Sequence, residues 1–120
     1  AAKQEIFDQL DKSYISGITF SGGDPLHAAN RLDVRNLMAE IKEKYPDKTI
    51  WLYTGDSWEN ILHYAIMQYV DVLVDGEFQV DKKDVKLLWK GSSNQRVIDV
   101  QKSLKQTDPM IPVLHCRDYA

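Results

Sequence analysis

A pair of glycines followed by a carboxylate is the stretch of this sequence best suited to bind a small ligand. The segment Ser21-Gly22-Gly23-Asp24 follows directly on a short apolar run. Paired glycines permit positive φ angles and close approach of the backbone to a bound group, and the carboxylate of Asp24 would pair with a cation such as a ligand ammonium. Alternatively the turn is purely structural, and Asp24 caps the next helix.

Polar residues also follow the later apolar runs. Thr54 and Gly55 offer a hydroxyl and an unhindered backbone, which suit a sugar or a carboxylate, although such residues more often form a plain loop and an N-cap. Asp75 could bind ribose hydroxyls or a metal, or be a solvated acid. Asn94 belongs to a donor-rich segment that ends at Arg96, where a ligand carboxylate could bind; the alternative is a flexible connection with a surface arginine.

Four short apolar runs predict the strands that carry these residues. They lie at 18–20, 49–53, 72–74 and 97–100. The third run is wholly apolar, which is typical of a central parallel strand covered on both faces. Strands that alternate with amphipathic helices indicate an α/β fold with a mostly parallel sheet of about four strands, so that the polar loops converge at one edge of the sheet.

Apolar residues at helical spacing predict three helices between these strands. The first covers residues 1–15, where a helix already under way at the start suggests a cut edge of a longer protein. It should stop at Ser16-Gly17. The second should start from Asp33 as its N-cap and end near Tyr45, and the third should run from Ser57, as its N-cap, to Tyr69.

The last third of the chain has weaker signals. The apolar residues of 79–95 follow neither helical nor strand spacing, and this segment is predicted to form a long functional loop. Residues 101–120 are predicted to be a tail with an edge strand at 111–114. The whole chain, 1–120, is expected to be one α/β domain because 120 residues are enough for one core.

Composition excludes several classes of function. A net charge of −3, without a dense run of lysine or arginine, argues against nucleic-acid and membrane partners. No segment approaches the ~20 apolar residues needed to span a bilayer. Cys116 is the single cysteine, so no disulfide or multi-cysteine metal site can form within one chain. We therefore expect a cytoplasmic protein with a small ligand or a protein partner.

Four blocks taken together resemble one known family. They are Ser21–His27, Trp51–Gly55, Val72–Phe78 and Gly91–Ile98, and they occur in order between about residues 17 and 100. In these blocks the chain is similar to the activating proteins of the anaerobic ribonucleoside-triphosphate reductase, which are radical S-adenosylmethionine enzymes. Four matching blocks are far more specific than the Gly-Gly-acid-Pro block alone, which indicates only the wider superfamily.

The resemblance implies a fold, a reaction and a set of binding residues. It implies an incomplete radical-enzyme (βα) barrel, and a [4Fe-4S] cluster that cleaves S-adenosylmethionine reductively so that a radical forms on a glycine of the reductase. The implied partners are the large glycyl-radical subunit and an electron-donor protein. The residues implied to bind S-adenosylmethionine are Ser21, Gly22, Gly23, Asp24, Thr54 and Gly55, with Asp75, Asn94 and Arg96 assigned more loosely.

The departures from the family pattern concern the cluster. The family holds its cluster with a Cys-x-x-x-Cys-x-x-Cys loop, which is absent here, and Cys116 is no substitute for it. Asp56 stands where an aromatic residue is expected. The resemblance therefore implies the C-terminal part of an activating enzyme, inactive by itself. The alternatives are a non-catalytic module that binds S-adenosylmethionine, a nucleotide or the reductase, and an activating enzyme for another glycyl-radical enzyme.

Overall fold

An open four-stranded sheet is the frame of the protein. A computed structural model describes residues 2–13, 15, 17–20, 28–77, 79–84, 86, 90 and 92–114. The strands are β1 (Gly17–Phe20), β2 (Thr49–Tyr53), β3 (Val72–Asp75) and β4 (Arg96–Asp99), in the spatial order β1-β2-β3-β4. The first two pairs are parallel and β4 is antiparallel to β3. The predicted α/β class with a mostly parallel sheet is confirmed, and the described strands do not close into a barrel.

Helices connect and cover the strands. They are α1 (Ala2–Leu10), α2 (Ala28–Lys44), α3 (Trp58–Ile61) and α4 (Val100–Leu104), with 3₁₀ helices at Ala65–Tyr69 and Val80–Lys82. No helix in the described ranges is long and apolar enough to cross a membrane.

The main core lies between the sheet and the helices. Ile50 and Leu52 of β2 are fully buried in it, together with Met38 and Ile41 of α2. Each such side chain contributes roughly 1.5–3 kcal/mol of transfer free energy. The alternate residues of the central strands form a second apolar cluster, which consists of Val72, Val74 and Val97 with the half-buried Trp51 and Tyr53. The sheet therefore has apolar side chains on both faces.

The prediction that Asp33 caps the second helix is wrong, because α2 begins at Ala28 and Asp33 is an exposed residue inside it. The helix has 17 residues and is therefore about 25 Å long. A five-residue strand spans only about 17 Å. Leu32 is 65% exposed, whereas Val34 packs against the core, so the apolar stripe starts later than the helix.

Gly17 was predicted to stop the first helix, but it is the first residue of β1. Its Cα lies opposite Thr49 of β2, and an ideal Cβ built on Gly17 would be 2.1 Å from the Thr49 carbonyl oxygen. Glycine is required here by the close approach of a neighbouring backbone. The helix itself ends at Leu10, five residues earlier than the predicted end at residue 15.

The third predicted helix is two short helices. α3 ends at Ile61, and a 3₁₀ helix follows at Ala65–Tyr69 after a turn in which the N–H of Tyr64 donates to the Ile61 carbonyl. The side-chain amide of Gln101 on α4 donates to the carbonyl oxygens of Met67 and Val70 at 3.2 and 2.8 Å. These contacts with α4 hold the second half of the segment in place. The segment therefore forms two short helices, although its apolar residues have the spacing of a single helix.

The C-terminal region also differs from the prediction. β4 starts and ends one residue early, and Val100 begins α4, whose N-cap Asp99 accepts the N–H of Lys102. The described part of the predicted tail therefore includes a helix. The predicted edge strand at 111–114 is reduced to a single antiparallel bridge between Ile98 and Leu114.

Candidate functional site

Five of the nine predicted binding residues meet at one edge of the sheet. Thr54 and Gly55 follow β2, and Asp75 ends β3. Asn94 lies two residues before Arg96, the first residue of β4. Because β4 is antiparallel, it begins at the edge where β3 ends, and Asp75 and Arg96 are register partners. We call this region the carboxyl edge.

The other four predicted residues, Ser21, Gly22, Gly23 and Asp24, lie outside the described residues. β1 does run parallel to β2, with Phe20 opposite Leu52. β1 therefore ends, at Phe20, at the same carboxyl edge.

Asp75 is a buried carboxylate with protein partners on both oxygens. It is 1% exposed, and its Oδ2 accepts the backbone N–H of Trp58 at 2.8 Å. Arg96 donates from Nε to Oδ1 at 3.1 Å and from its terminal nitrogen to Oδ2. A buried carboxylate needs such partners because its desolvation is costly. Asp75 thus joins β3, β4 and the first turn of α3.

Glu59 completes this group and was not predicted from the sequence. Its two carboxylate oxygens accept hydrogen bonds from Arg96 at 2.7 and 3.0 Å, a bidentate arrangement. Since both carboxylates favour the charged guanidinium, with Glu59 the stronger influence, the pKa of Arg96 is raised above its already high value. Glu59 lies 37 residues from Arg96, and no local pattern in the sequence signals the pair.

The pKa of Glu59 is lowered, chiefly by the hydrogen bonds from Arg96. A lowered pKa in the folded state adds stability above the unfolded pKa of about 4.3, and that stability is lost as the pH falls through the folded pKa. Glu59→Gln should therefore lose less unfolding free energy than the parent chain between about pH 5 and pH 3, by less than about 1 kcal/mol because the side chain is 38% exposed. Urea denaturation at several pH values across this range measures the difference. The same dependence of the unfolding free energy on pH in the two proteins would contradict the prediction.

The loop after β2 is held in place by its own polar groups. The Thr54 hydroxyl accepts the N–H of Asp56 at 3.1 Å, and the Asp56 carbonyl accepts the N–H of Gly76 at 2.8 Å. The Asp56 carboxylate accepts from the N–H of Ser57 and the side chain of Asn60. Ser57 occupies the predicted N-cap position of α3, but its side chain makes no capping hydrogen bond. The carboxylate of Asp75 accepts the N–H of Trp58 in the first turn instead.

The segment before β4 is bonded to the loop after β3. Gln95 donates to the Gly76 carbonyl at 2.9 Å, and Asn94 donates to the Glu77 carbonyl at 2.8 Å. Gly76 has φ +97°, a conformation that favours glycine. The described residues of the predicted long functional loop include a 3₁₀ helix at Val80–Lys82 and a bridge between Lys83 and Ser92.

Two features of the carboxyl edge suit a ligand. The Oδ1 atom of Asn94 is buried and has no hydrogen-bond partner among the described residues, although its Nδ2 donates to the Glu77 carbonyl. An ideal Cβ built on Gly55 would meet no atom of the described ranges within 4 Å, so these residues leave the backbone there open. An orphaned acceptor and an accessible backbone are what a polar ligand requires.

The residues of this chain do not fit an iron–sulfur cluster. Such clusters are held by several cysteine thiolates. The sequence has one cysteine, and no group of three or more histidine, cysteine, aspartate or glutamate side chains is placed to hold a metal within the described ranges. Any cluster ligands must therefore come from outside these 120 residues.

Comparison with known proteins defines the family. The model of the 4Fe-4S single cluster domain family matches residues 1–98, and the chain belongs to this family. The resemblance predicted from the four sequence blocks is confirmed by curated relatives, all named anaerobic ribonucleoside-triphosphate reductase-activating protein.

Three of these relatives show the extent of the match. The protein of Enterobacteria phage T4 is 44% identical over 94 residues, which are 78% of this chain and 60% of the relative. The protein of Escherichia coli K12 is 45% identical over 102 residues, or 81% and 66%. That of Salmonella typhimurium is 50% identical over 84 residues, or 68% and 54%. The chain thus spans about 60% of the phage relative's length, and no solved structure matches it.

Proposed function

We propose that this chain is the S-adenosylmethionine-binding and reductase-contacting part of an activating enzyme, which generates a glycyl radical on the anaerobic ribonucleoside-triphosphate reductase. The observation that carries the proposal is the carboxyl edge, where the described parts of three sequence blocks shared with the family lie together. Ligands of α/β sheets bind beyond the carboxyl ends of the strands.

The proposed pocket uses groups from three loops. Asp24 would pair with the methionyl ammonium, and the backbone at Gly22 and Gly23 would approach the ligand closely. Thr54 and Gly55 would line the pocket beside them, which agrees with the open space at Gly55. The unpartnered Oδ1 of Asn94 is available for a ligand donor.

Asp75 and Arg96 act as positioning residues in this proposal. Their charged groups are already bonded to each other, and Asp75 also accepts the N–H of Trp58. By fixing the first turn of α3, they fix the loop that carries Thr54 and Gly55. They would therefore shape the pocket without contacting the ligand.

Radical chemistry requires a cluster that this chain cannot hold alone. When bound, the cluster supplies the electron that cleaves S-adenosylmethionine. This chain, reconstituted without air, should retain no stoichiometric iron and should not cleave S-adenosylmethionine, whereas a longer chain with a Cys-x-x-x-Cys-x-x-Cys loop should do both. The longer chain also needs an electron donor and the large reductase subunit to produce the glycyl radical.

Calorimetry with S-adenosylmethionine tests the pocket directly. Asp24→Ala should weaken binding about tenfold or more, because a charge-assisted hydrogen bond to the ammonium is lost. Asp81→Ala removes an exposed carboxylate from the 3₁₀ helix Val80–Lys82 and should bind like the parent chain. Equal binding by parent and Asp24→Ala would remove Asp24 from its assigned role, and absence of binding by the parent would reject the pocket.

A further inference from the structure

A second recess, of about 430 Å³, lies between α2 and the segment that follows α3. Its principal lining residues are Arg31, Leu32 and Arg35 from α2, and His63, Tyr64 and Ile66 from the facing segment. None of them belongs to the carboxyl edge described above. The volume is within the range of ordinary small-molecule sites, roughly 300–1,000 Å³.

Aromatic rings hold the two arginines of this recess. The Cζ of Arg31 lies 4.2 Å from the ring centroid of Tyr64, and the Cζ of Arg35 lies 5.9 Å from that of Tyr69. The ring of His63 packs edge-on against Tyr64, with 5.0 Å between centroids. A guanidinium over a ring face is positioned by the ring while its N–H donors stay available in the plane of the group.

Neither arginine has a carboxylate partner among the described residues. Within the described ranges, the arginine that forms ion pairs is Arg96. Arg35 donates a long hydrogen bond, of 3.3 Å, to the side-chain oxygen of its neighbour Asn36. The chain as a whole has 18 acidic residues against 15 lysines and arginines. Two unpaired guanidinium groups four residues apart on one helix, in an acidic protein, form a local site for an anion.

The walls of the recess add an apolar surface to this charge. Leu32 is 65% exposed beside the arginines, and the buried Ile66 contributes from the opposite side. Arginine forks match the oxygen geometry of phosphate, and apolar walls accept a carbon skeleton. We propose that this recess binds a small organic phosphate, with the phosphate on Arg31 and Arg35 and the organic group against Leu32 and Ile66.

NMR titration of the isotope-labelled 120-residue chain tests the site with inorganic phosphate, pyrophosphate and phenyl phosphate. Pyrophosphate should bind saturably and shift the signals of His63 and Tyr64. Phenyl phosphate should bind more tightly than inorganic phosphate, because its ring is buried against Leu32. Arg35→Gln should weaken pyrophosphate binding about tenfold, the usual effect of losing a hydrogen bond to a charged group.

The matched control is Lys44→Gln. Lys44 also lies on α2 with its ammonium over a ring, 5.0 Å from the centroid of Phe7, but it is outside the recess. This variant loses the same single charge and should bind pyrophosphate like the parent. Arg35→Lys keeps the charge without the fork and should give intermediate affinity, so it carries the test if Arg35→Gln does not fold.

Three results would overturn the proposal. The first is an equal loss of affinity in Arg35→Gln and Lys44→Gln, which would show only general charge attraction. The second is tighter binding of a hexaglutamate peptide than of any of the phosphates, which would make the recess a protein-docking surface. The third is displacement of bound pyrophosphate by saturating S-adenosylmethionine, which would place the anion at the carboxyl edge. Binding in the recess predicts no such displacement, whether or not the proposed function holds.

Discussion

Asp75→Ala should lower the free energy of unfolding by about 3 kcal/mol or more, one of the largest effects of any single polar substitution in this protein. The carboxylate is 1% exposed, and its removal leaves the buried N–H of Trp58 without an acceptor. It also takes one of two counter-ions from Arg96, whose side chain is 34% exposed and keeps Glu59. The remaining solvent contact of Arg96 places the effect at the lower end of the range for broken buried pairs.

Two further variants separate the contributions of charge and hydrogen bonding. Asp75→Asn retains an oxygen for the Trp58 N–H and should cost less than Asp75→Ala. Glu59→Gln leaves the buried pair intact and should cost less than about 1 kcal/mol. Urea denaturation gives the three values, and hydrogen exchange at the Trp58 amide should accelerate in Asp75→Ala. A loss in Asp75→Ala no greater than that in Glu59→Gln would show that the buried carboxylate does not anchor α3.

Gly17→Ala should destabilise the protein by about 3 kcal/mol, the upper part of the usual range for overpacking. The added Cβ would lie 2.1 Å from the carbonyl oxygen and 2.9 Å from the carbonyl carbon of Thr49. Both are backbone atoms of the neighbouring strand, so no rotation of a side chain relieves the clash. β1 must move away from β2 or lose its first pairing.

Gly55→Ala is the matched control for this substitution. Its added Cβ would meet no atom of the described residues within 4 Å, so the unfolding free energy should stay within about 0.5 kcal/mol of the parent value. Denaturant midpoints of the two variants give the comparison. Removing the Thr49 hydroxyl as well, in the double variant Gly17→Ala with Thr49→Ala, should not restore stability; recovery would show that the side chain and not the backbone is the obstacle.

The sequence predicted best those elements whose residues are dictated by burial. β2 is found at the predicted bounds, and β3 differs only by the inclusion of Asp75, because compact apolar runs between polar turns leave few other structures. The convergence of Thr54 and Asp75 at one edge followed from the parallel pairing of these strands. The alternation of strands and helices was therefore sufficient for the fold class.

The remaining features depend on contacts that no local pattern contains. The antiparallel direction of β4 was not apparent, because a short apolar run reads the same for either direction of pairing. The bond between Asp75 and the N–H of Trp58 spans 17 residues, and it was hidden by a serine at the expected cap position. The broken third helix likewise reflects its contact with Gln101, which lies more than 30 residues away.

The spacing of the paired strands along the chain has a consequence for how the protein folds. Register partners are 21 residues apart in the β2–β3 pair (Trp51 and Val72), 21 to 27 apart in the β3–β4 pair, and 32 apart in the β1–β2 pair (Gly17 and Thr49). Pairings between nearer segments lose less loop entropy when they form. We therefore expect β2, β3 and β4, with the Asp75–Arg96 contact, to assemble before β1 docks.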